Sequence, residues 1–137
     1  MSTQPQKFVP QPEGLPLEFH QIAARTGTLH LQQCSGCGAF RHPPRVYCAS
    51  CFSPKYEFVP SAHRGSLYSL TISHRSYDPG WAEEVPYAAI AVELDEGPRV
   101  LGVFRGSPSG LELGDRVQIE VEAQNEDFVL VWVDREV

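Results

Sequence analysis

Alternating apolar and polar residues dominate the second half of this 137-residue chain. A period of two is typical of β-strands that bury one face and expose the other. Five such segments follow one another without a helical pattern between them, and the last is apolar on both faces. They lie at residues 68–72, 88–94, 99–105, 117–121 and 127–133. This arrangement predicts a mainly β domain, a five-stranded OB-fold barrel, over residues 63–137.

The first half of the chain predicts a tail and one short helix. Residues 1–14 are rich in Pro and Gln and are predicted to form a flexible tail. Residues 17–25 place apolar side chains on one helical face, and Gly27 is a residue type that ends helices. Because so short a helix is marginal alone, we expect it to pack on the barrel or on a partner.

The longest irregular segment, residues 73–86, joins the first two predicted barrel strands. Loops of this length in compact domains are more often functional than idle. Tyr77 and Trp81 lie in this segment. Since both residue types are enriched in cores and at binding hot spots, the sequence leaves open whether they face the barrel or a partner.

All four cysteines of the chain lie in two Cys-x-x-Cys pairs with ten residues between them. They are Cys34, Cys37, Cys48 and Cys51. Four thiolates at this spacing suit tetrahedral Zn²⁺, and Gly38 allows the tight turn after the first pair. A closed four-thiolate site has no open coordination position, so we expect the zinc to be structural. Residues 15–62 are therefore predicted to hold the N-terminal helix and a four-cysteine zinc ribbon.

Disulfides, a redox pair and rubredoxin-like iron are the alternative interpretations of these cysteines. The first residues contain no apolar run of a secretory signal, so we expect a cytoplasmic protein with reduced thiols. Two pairs without a βαβ pattern fit a redox motif poorly. Iron uses the same four thiolates and stays open as the less favoured metal.

The charge of the chain narrows the classes of partner. Its formal net charge is −6, which argues against a general nucleic-acid binder. No segment approaches the roughly 18 apolar residues that span a membrane. We therefore expect neither nucleic acid nor membrane as a partner.

The helix, the two cysteine pairs, the Pro-Pro-Arg arm between them and the barrel pattern together resemble the DUF35 family. Members combine a rubredoxin-like zinc ribbon with an OB-fold and are associated with acyl-CoA metabolism. The resemblance covers roughly residues 15–137. It is carried by Leu29, the four cysteines, Gly38, Pro43, Pro44 and Arg45, and in the barrel by Tyr87-Ala88, residues 92–99 and residues 114–117.

The resemblance implies an accessory subunit of a thiolase-like enzyme rather than an enzyme. Such partners include ketoacyl-CoA thiolases, acyltransferases and the retro-aldolases of steroid side-chain degradation. We expect a hetero-oligomer, a heterotetramer around a thiolase-like dimer, with a MaoC-like hydratase as a further candidate partner. The implied role is to support the complex and the acyl-CoA site, with zinc as the cofactor.

The residues themselves indicate no catalytic site. The metal accounts for every cysteine, and the five histidines are scattered without a serine or aspartate arranged around them. Candidate contacts with CoA phosphates or with an acidic patch on the partner are Arg41, Arg45, Lys55 and Arg64, which we expect to cluster near the junction of ribbon and barrel. Tyr77 and Trp81 complete the candidates, and an ordinary solvated surface is the alternative.

Two other functions remain open at the level of sequence. A stand-alone acyl-CoA-binding protein would bind its ligand without any partner. A ribbon and OB-fold module that binds single-stranded nucleic acid is less favoured, because such binding needs basic stacking surfaces.

Overall fold

The computed structural model describes residues 6–136, within which the chain forms one α-helix, a single 3-10 turn at Pro79–Trp81 and eight strands. Residues 1–5 of the predicted tail lie outside the described residues. The elements in chain order are α1 (Gly14–Thr26), β1 (His30–Cys34), β2 (Phe40–Arg41), β3 (Tyr56–Pro60), β4 (Arg64–Ser73), β5 (Tyr87–Leu94), β6 (Arg99–Phe104), β7 (Arg116–Asn125) and β8 (Phe128–Arg135).

Helix α1 packs on the protein's own barrel. Gly27 ends the helix with φ 77°, and its N–H donates to the carbonyl of Ala23 at 2.8 Å. Phe19 and Ala23 are buried on the inner face. The Nδ1 atom of His20 accepts a hydrogen bond from the N–H of Val129 on β8 at 3.1 Å. The helix therefore joins the barrel through both apolar packing and a hydrogen bond from a barrel N–H to a helix side chain.

Strands β1, β2 and β3 form a small antiparallel sheet in the order β2-β1-β3, which carries the cysteine ribbon. Leu29 and Leu31 are fully buried and belong to the same apolar cluster as the barrel core. Leu29 also donates to Nε2 of His63 at 2.8 Å and accepts from the N–H of Ser61 at 2.8 Å. One continuous core therefore connects ribbon and barrel.

The remaining five strands close into a barrel in the order β4-β5-β6-β8-β7. Neighbouring strands are antiparallel except for β6 and β8, whose short parallel pairing at Val103 and Phe104 closes the barrel. The alternating residues of β5 point inward as predicted, since Ala88, Ile90 and Val92 are fully buried. The predicted fold class is confirmed: a short helix and a zinc ribbon precede a five-stranded OB-type barrel.

The described residues include no helix that is both long enough and apolar enough to cross a membrane.

Candidate metal centre and contact surfaces

The two Cys-x-x-Cys turns bring four sulfur atoms together at the tip of the ribbon. The Sγ atoms lie within 4.8 Å of one another, with Cys34 and Cys51 3.5 Å apart and Cys37 and Cys48 3.6 Å apart. A tetrahedral centre of four thiolates with Zn–S bonds of about 2.3 Å requires sulfurs about 3.8 Å apart. The cysteine arrangement therefore fits a four-coordinate zinc ion.

Backbone N–H groups turn toward these sulfurs, as expected for thiolate ligands. Gly36 N lies 3.3 Å from the Cys34 sulfur, and Ser50 N lies 3.4 Å from the Cys48 sulfur. The pKa of Cys34 is lowered to about 6, mainly because its sulfur accepts a hydrogen bond from the backbone N–H of Cys37. For Cys51, the N–H of Ser53 lowers the pKa, but the neighbouring sulfurs and partial desolvation outweigh it and raise the pKa to about 11.

Four thiolates this close therefore resist full ionisation until a cation neutralises them. Zinc supplies that charge, and all four ligands come from the protein. The predicted cofactor, a structural zinc ion, agrees with this geometry.

Arg41 occupies the centre of the ribbon rather than its surface. Its side chain is 2% exposed. Nη1 donates to the carbonyls of Arg45 and Val46 at 3.3 and 3.4 Å, and Nη2 donates to those of Ser53 and Lys55 at 2.7 and 3.0 Å. The expected contact of Arg41 with CoA or a partner does not fit this position, because its donors satisfy carbonyls of the knuckle turns.

The other predicted cations separate into two places. Arg45 and Lys55 are exposed, and their backbones meet around Arg41. Arg64 begins β4 of the barrel, where its guanidinium lies 3.6 Å from the carboxylate of Glu136. The structure thus brings Arg41, Arg45 and Lys55 together, while Arg64 is engaged in an ion pair of its own.

The loop at residues 73–86 points its two aromatic side chains in different directions. Trp81 lies against the barrel, and Tyr77 lies in solvent. The Trp81 ring packs 5.2 Å from that of Tyr87 and 6.0 Å from that of Trp132. Lys7 covers the Trp81 ring at 4.7 Å and pairs with Glu84 at 3.3 Å. The side chain of Tyr77, by contrast, is 90% exposed. Of the two aromatic candidates, Tyr77 is therefore the one positioned to contact another molecule.

An apolar cleft of about 550 Å³ lies between α1, the Pro-Pro arm and strands β6 and β8. Its polar groups are His20, His42 and Arg99. Burial, followed by the nearby His20, lowers the pKa of His42 to about 4. The buried Nδ1 of His42 makes no hydrogen bond within the described residues. Sequence reasoning missed this cleft, because its walls come from segments far apart in the chain.

Exposed apolar residues beside the second cysteine pair were also missed. Val46, Tyr47 and Phe52 are all exposed there. The available signal was their position within two residues of metal ligands, where a small sheet cannot bury them.

Both parts of the chain match described domains. Residues 23–57 match the rubredoxin-like zinc ribbon domain of ChsH2, and residues 58–122 match the C-terminal OB-fold domain of ChsH2. A solved structure described as the Ltp2-ChsH2(DUF35) aldolase superposes with a TM-score of 0.77 and 30% identity, covering 88% of this chain and 94% of that chain. The chain belongs to the DUF35 family.

Two curated relatives connect DUF35 sequences with acyl-CoA enzymes. A probable enoyl-CoA hydratase alpha subunit from Thermomonospora curvata is 35% identical, over 72% of this chain and 30% of the relative. The benzoylsuccinyl-CoA thiolase subunit BbsA from Thauera aromatica is 28% identical, over 65% of this chain and 60% of the relative. The matches thus span less than two thirds of the length of each of these curated relatives.

Proposed function

We propose that this DUF35 chain is a non-catalytic, zinc-stabilised accessory subunit of a thiolase-like acyl-CoA enzyme that breaks or forms a C–C bond. The observation that carries the proposal is the similarity to the DUF35 aldolase structure, which extends over 94% of that chain at 30% identity. The relative named as a thiolase subunit supports the same class of partner.

The chemistry of the chain itself argues against an active site of its own. A thiolase-type nucleophile is a reactive cysteine, and the four cysteines of the sequence converge on the metal centre. His20 and His63 accept hydrogen bonds from backbone N–H groups, so they support the fold. The reaction is therefore assigned to the partner.

The partner contacts the 73–86 loop in this proposal. Trp81 holds the loop against the barrel, and Tyr77 projects into solvent, where it can serve as an aromatic anchor. Two DUF35 chains bind one thiolase-like dimer, which gives a heterotetramer. A MaoC-like hydratase is the second candidate partner, because one relative is named as a hydratase alpha subunit.

The acyl-CoA contact is assigned to the cleft between α1, the Pro-Pro arm and the barrel. Its volume of about 550 Å³ lies in the range of small-molecule sites, and its walls are mostly apolar. In the assembled enzyme this cleft supplies an apolar wall for the acyl group.

The test begins by recovering the thiolase-like protein that co-purifies with the tagged chain from its own host. The two proteins are then co-expressed. Native mass spectrometry should show two copies of each chain and one zinc ion per DUF35 chain. Calorimetry of the isolated chain with acyl-CoA is the control. Tight binding of acyl-CoA without any complex would contradict the accessory role and favour a stand-alone carrier.

A further inference from the structure

An exposed apolar surface surrounds the second cysteine pair. Val46, Tyr47 and Phe52 are 57%, 61% and 76% exposed, and Arg45 and Lys55 flank them. We call these five residues the knuckle face. Large apolar side chains that cluster in solvent are a mark of an interaction surface, whereas single exposed ones are ordinary.

Hydrogen bonds tie together the backbone segments that carry the knuckle face. The guanidinium of Arg41 binds the carbonyls of Arg45, Val46 and Lys55 at 3.0 to 3.4 Å, so these backbones converge on one point. The N–H of Phe52 donates to the carbonyl of Cys48 at 2.9 Å, which ties the aromatic residue to the metal turn. The surface is therefore preorganised, which reduces the entropy lost on binding.

Comparison of the two knuckles shows that the fold does not need an aromatic residue at position 52. Gly38 follows the first pair with φ 80°, and its N–H donates to the Cys34 carbonyl at 3.0 Å. Phe52 follows the second pair with φ 63° and makes the equivalent bond. Glycine adopts this left-handed conformation freely, whereas a bulky side chain is strained there. Strain of this kind at an exposed position points to a functional side chain.

Charge indicates what the knuckle face binds. The chain carries a net charge of −6, yet it has no Asp or Glu between Glu18 and Glu57. The side chains of Arg45 and Lys55 form no ion pair within the described residues. An apolar centre with cations at its rim is complementary to an apolar pocket with carboxylates at its rim.

We propose that the knuckle face docks on the thiolase-like partner, inserting Phe52 and Tyr47 into an apolar pocket whose rim carries carboxylates that meet Arg45 and Lys55. This inference rests on the proposed function and assigns a second contact beside the 73–86 loop.

The test measures the affinity of the purified partner for immobilised DUF35 chains by surface plasmon resonance. Phe52→Asn removes the aromatic ring but suits the left-handed backbone, so zinc content and melting temperature should not fall. Partner affinity should fall about 30-fold or more, as for a hot-spot residue. Leu113→Asn is the matched control, because Leu113 is 69% exposed away from this face. It should bind like wild type.

Charge reversal tests the rim and separates the other occupants. Arg45→Glu with Lys55→Glu should weaken the partner complex at low salt, with a smaller loss at high salt. A raised KM for acyl-CoA with unchanged partner affinity would overturn the inference in favour of CoA phosphates. Self-association of the free chain that Phe52→Asn abolishes would overturn it in favour of a second copy.

The failure of the inference can be told from that of the proposed function. If wild type binds the partner and Phe52→Asn binds equally well, only the knuckle contact is wrong. If wild type itself does not bind, the accessory role and the contact that rests on it both fall.

Discussion

Arg41 shows most clearly how burial changes the meaning of a residue. In the sequence it is one of several cations near the ribbon, and an exposed role was expected. In the structure it is buried, and its guanidinium donates to carbonyls of the metal turns. A sequence cannot reveal this, because the carbonyls belong to residues 4 to 14 positions away.

Replacing Arg41 with Lys should destabilise the zinc-loaded protein. A lysine ammonium cannot reach the carbonyls on both sides of the ribbon, and each lost hydrogen bond to a charged group costs about 1.5–3 kcal/mol. We expect the free energy of unfolding in denaturant to fall by about 2 kcal/mol or more. Arg45→Lys, at an exposed position, should stay within about 0.5 kcal/mol of wild type. Equal stability of the two variants would contradict the assigned role of Arg41.

Two half-buried histidines should make the stability of the fold depend on pH. His20 accepts from Val129 N and His63 accepts from Leu29 N, which requires neutral imidazole nitrogens. Burial lowers the pKa of His20 and of His63 from the ordinary 6.5. A folded-state pKa below the unfolded value gives stability that is fully present above pH 6.5 and is lost as the pH falls through the folded pKa.

His20→Gln should therefore flatten the fall in unfolding free energy below pH 6.5. The zinc thiolates also become protonated in acid, so the measured quantity is the difference in slope between variant and wild type. His74→Gln, on the exposed part of the loop, is the control and should keep the wild-type slope. Identical slopes for all three proteins would show that His20 contributes nothing to the pH dependence.

The elements with strong periodicity were predictable, and those held by distant contacts were not. The alternation of β5 and the glycine that ends α1 mark real boundaries to within a few residues. The surface of the barrel that α1 covers was not deducible, since it depends on Val129 and Phe128, more than 100 positions away. The position of residues 6–8 against the 73–86 loop was not deducible either, because the two segments are also far apart in the chain.

Gly80→Ala should release residues 6–8 from the loop. A methyl group at Gly80 would collide with the backbone of Lys7. The N–H of Phe8 also donates to Asp78 at 3.0 Å, so the loss would free both segments. We expect faster hydrogen exchange in residues 73–86 with little change in the barrel strands. Deletion of residues 1–8 should have the same effect, and adding it to Gly80→Ala should bring no further change. Unaltered exchange in Gly80→Ala would contradict the contact.

At the scale of the whole molecule, the cysteine spacing predicted the metal site and the alternation predicted the barrel. The relation between them was not predictable, because it depends on Leu29, Ser61 and His63 at the junction. His63 adopts φ 62°, a left-handed conformation that the pattern of apolar residues does not predict. The sequence also could not show which candidate contact residues are free to meet another molecule. Tyr77 is exposed, whereas Trp81 and Arg41 contact other parts of the same chain.

Cys37→Ser should lower zinc content, ribbon structure and partner binding together. A ribbon this small gains its stability from the metal. Its core residue Leu31 belongs to the same apolar cluster as the barrel residues. Zinc content by mass spectrometry, circular dichroism and partner binding should all decline. Ser35→Ala, in the exposed part of the first knuckle, should leave them unchanged. A zinc-free Cys37→Ser chain that still formed a fully active complex would contradict the structural role of the metal.

The central claim is that the DUF35 chain completes an acyl-CoA enzyme without performing the chemistry. The most direct test measures acyl-CoA turnover by the purified complex and by each separated chain, with the zinc content of every sample determined. The account predicts turnover by the complex, none by the isolated DUF35 chain, and recovery when the two chains are recombined. Full turnover by the isolated DUF35 chain would contradict it.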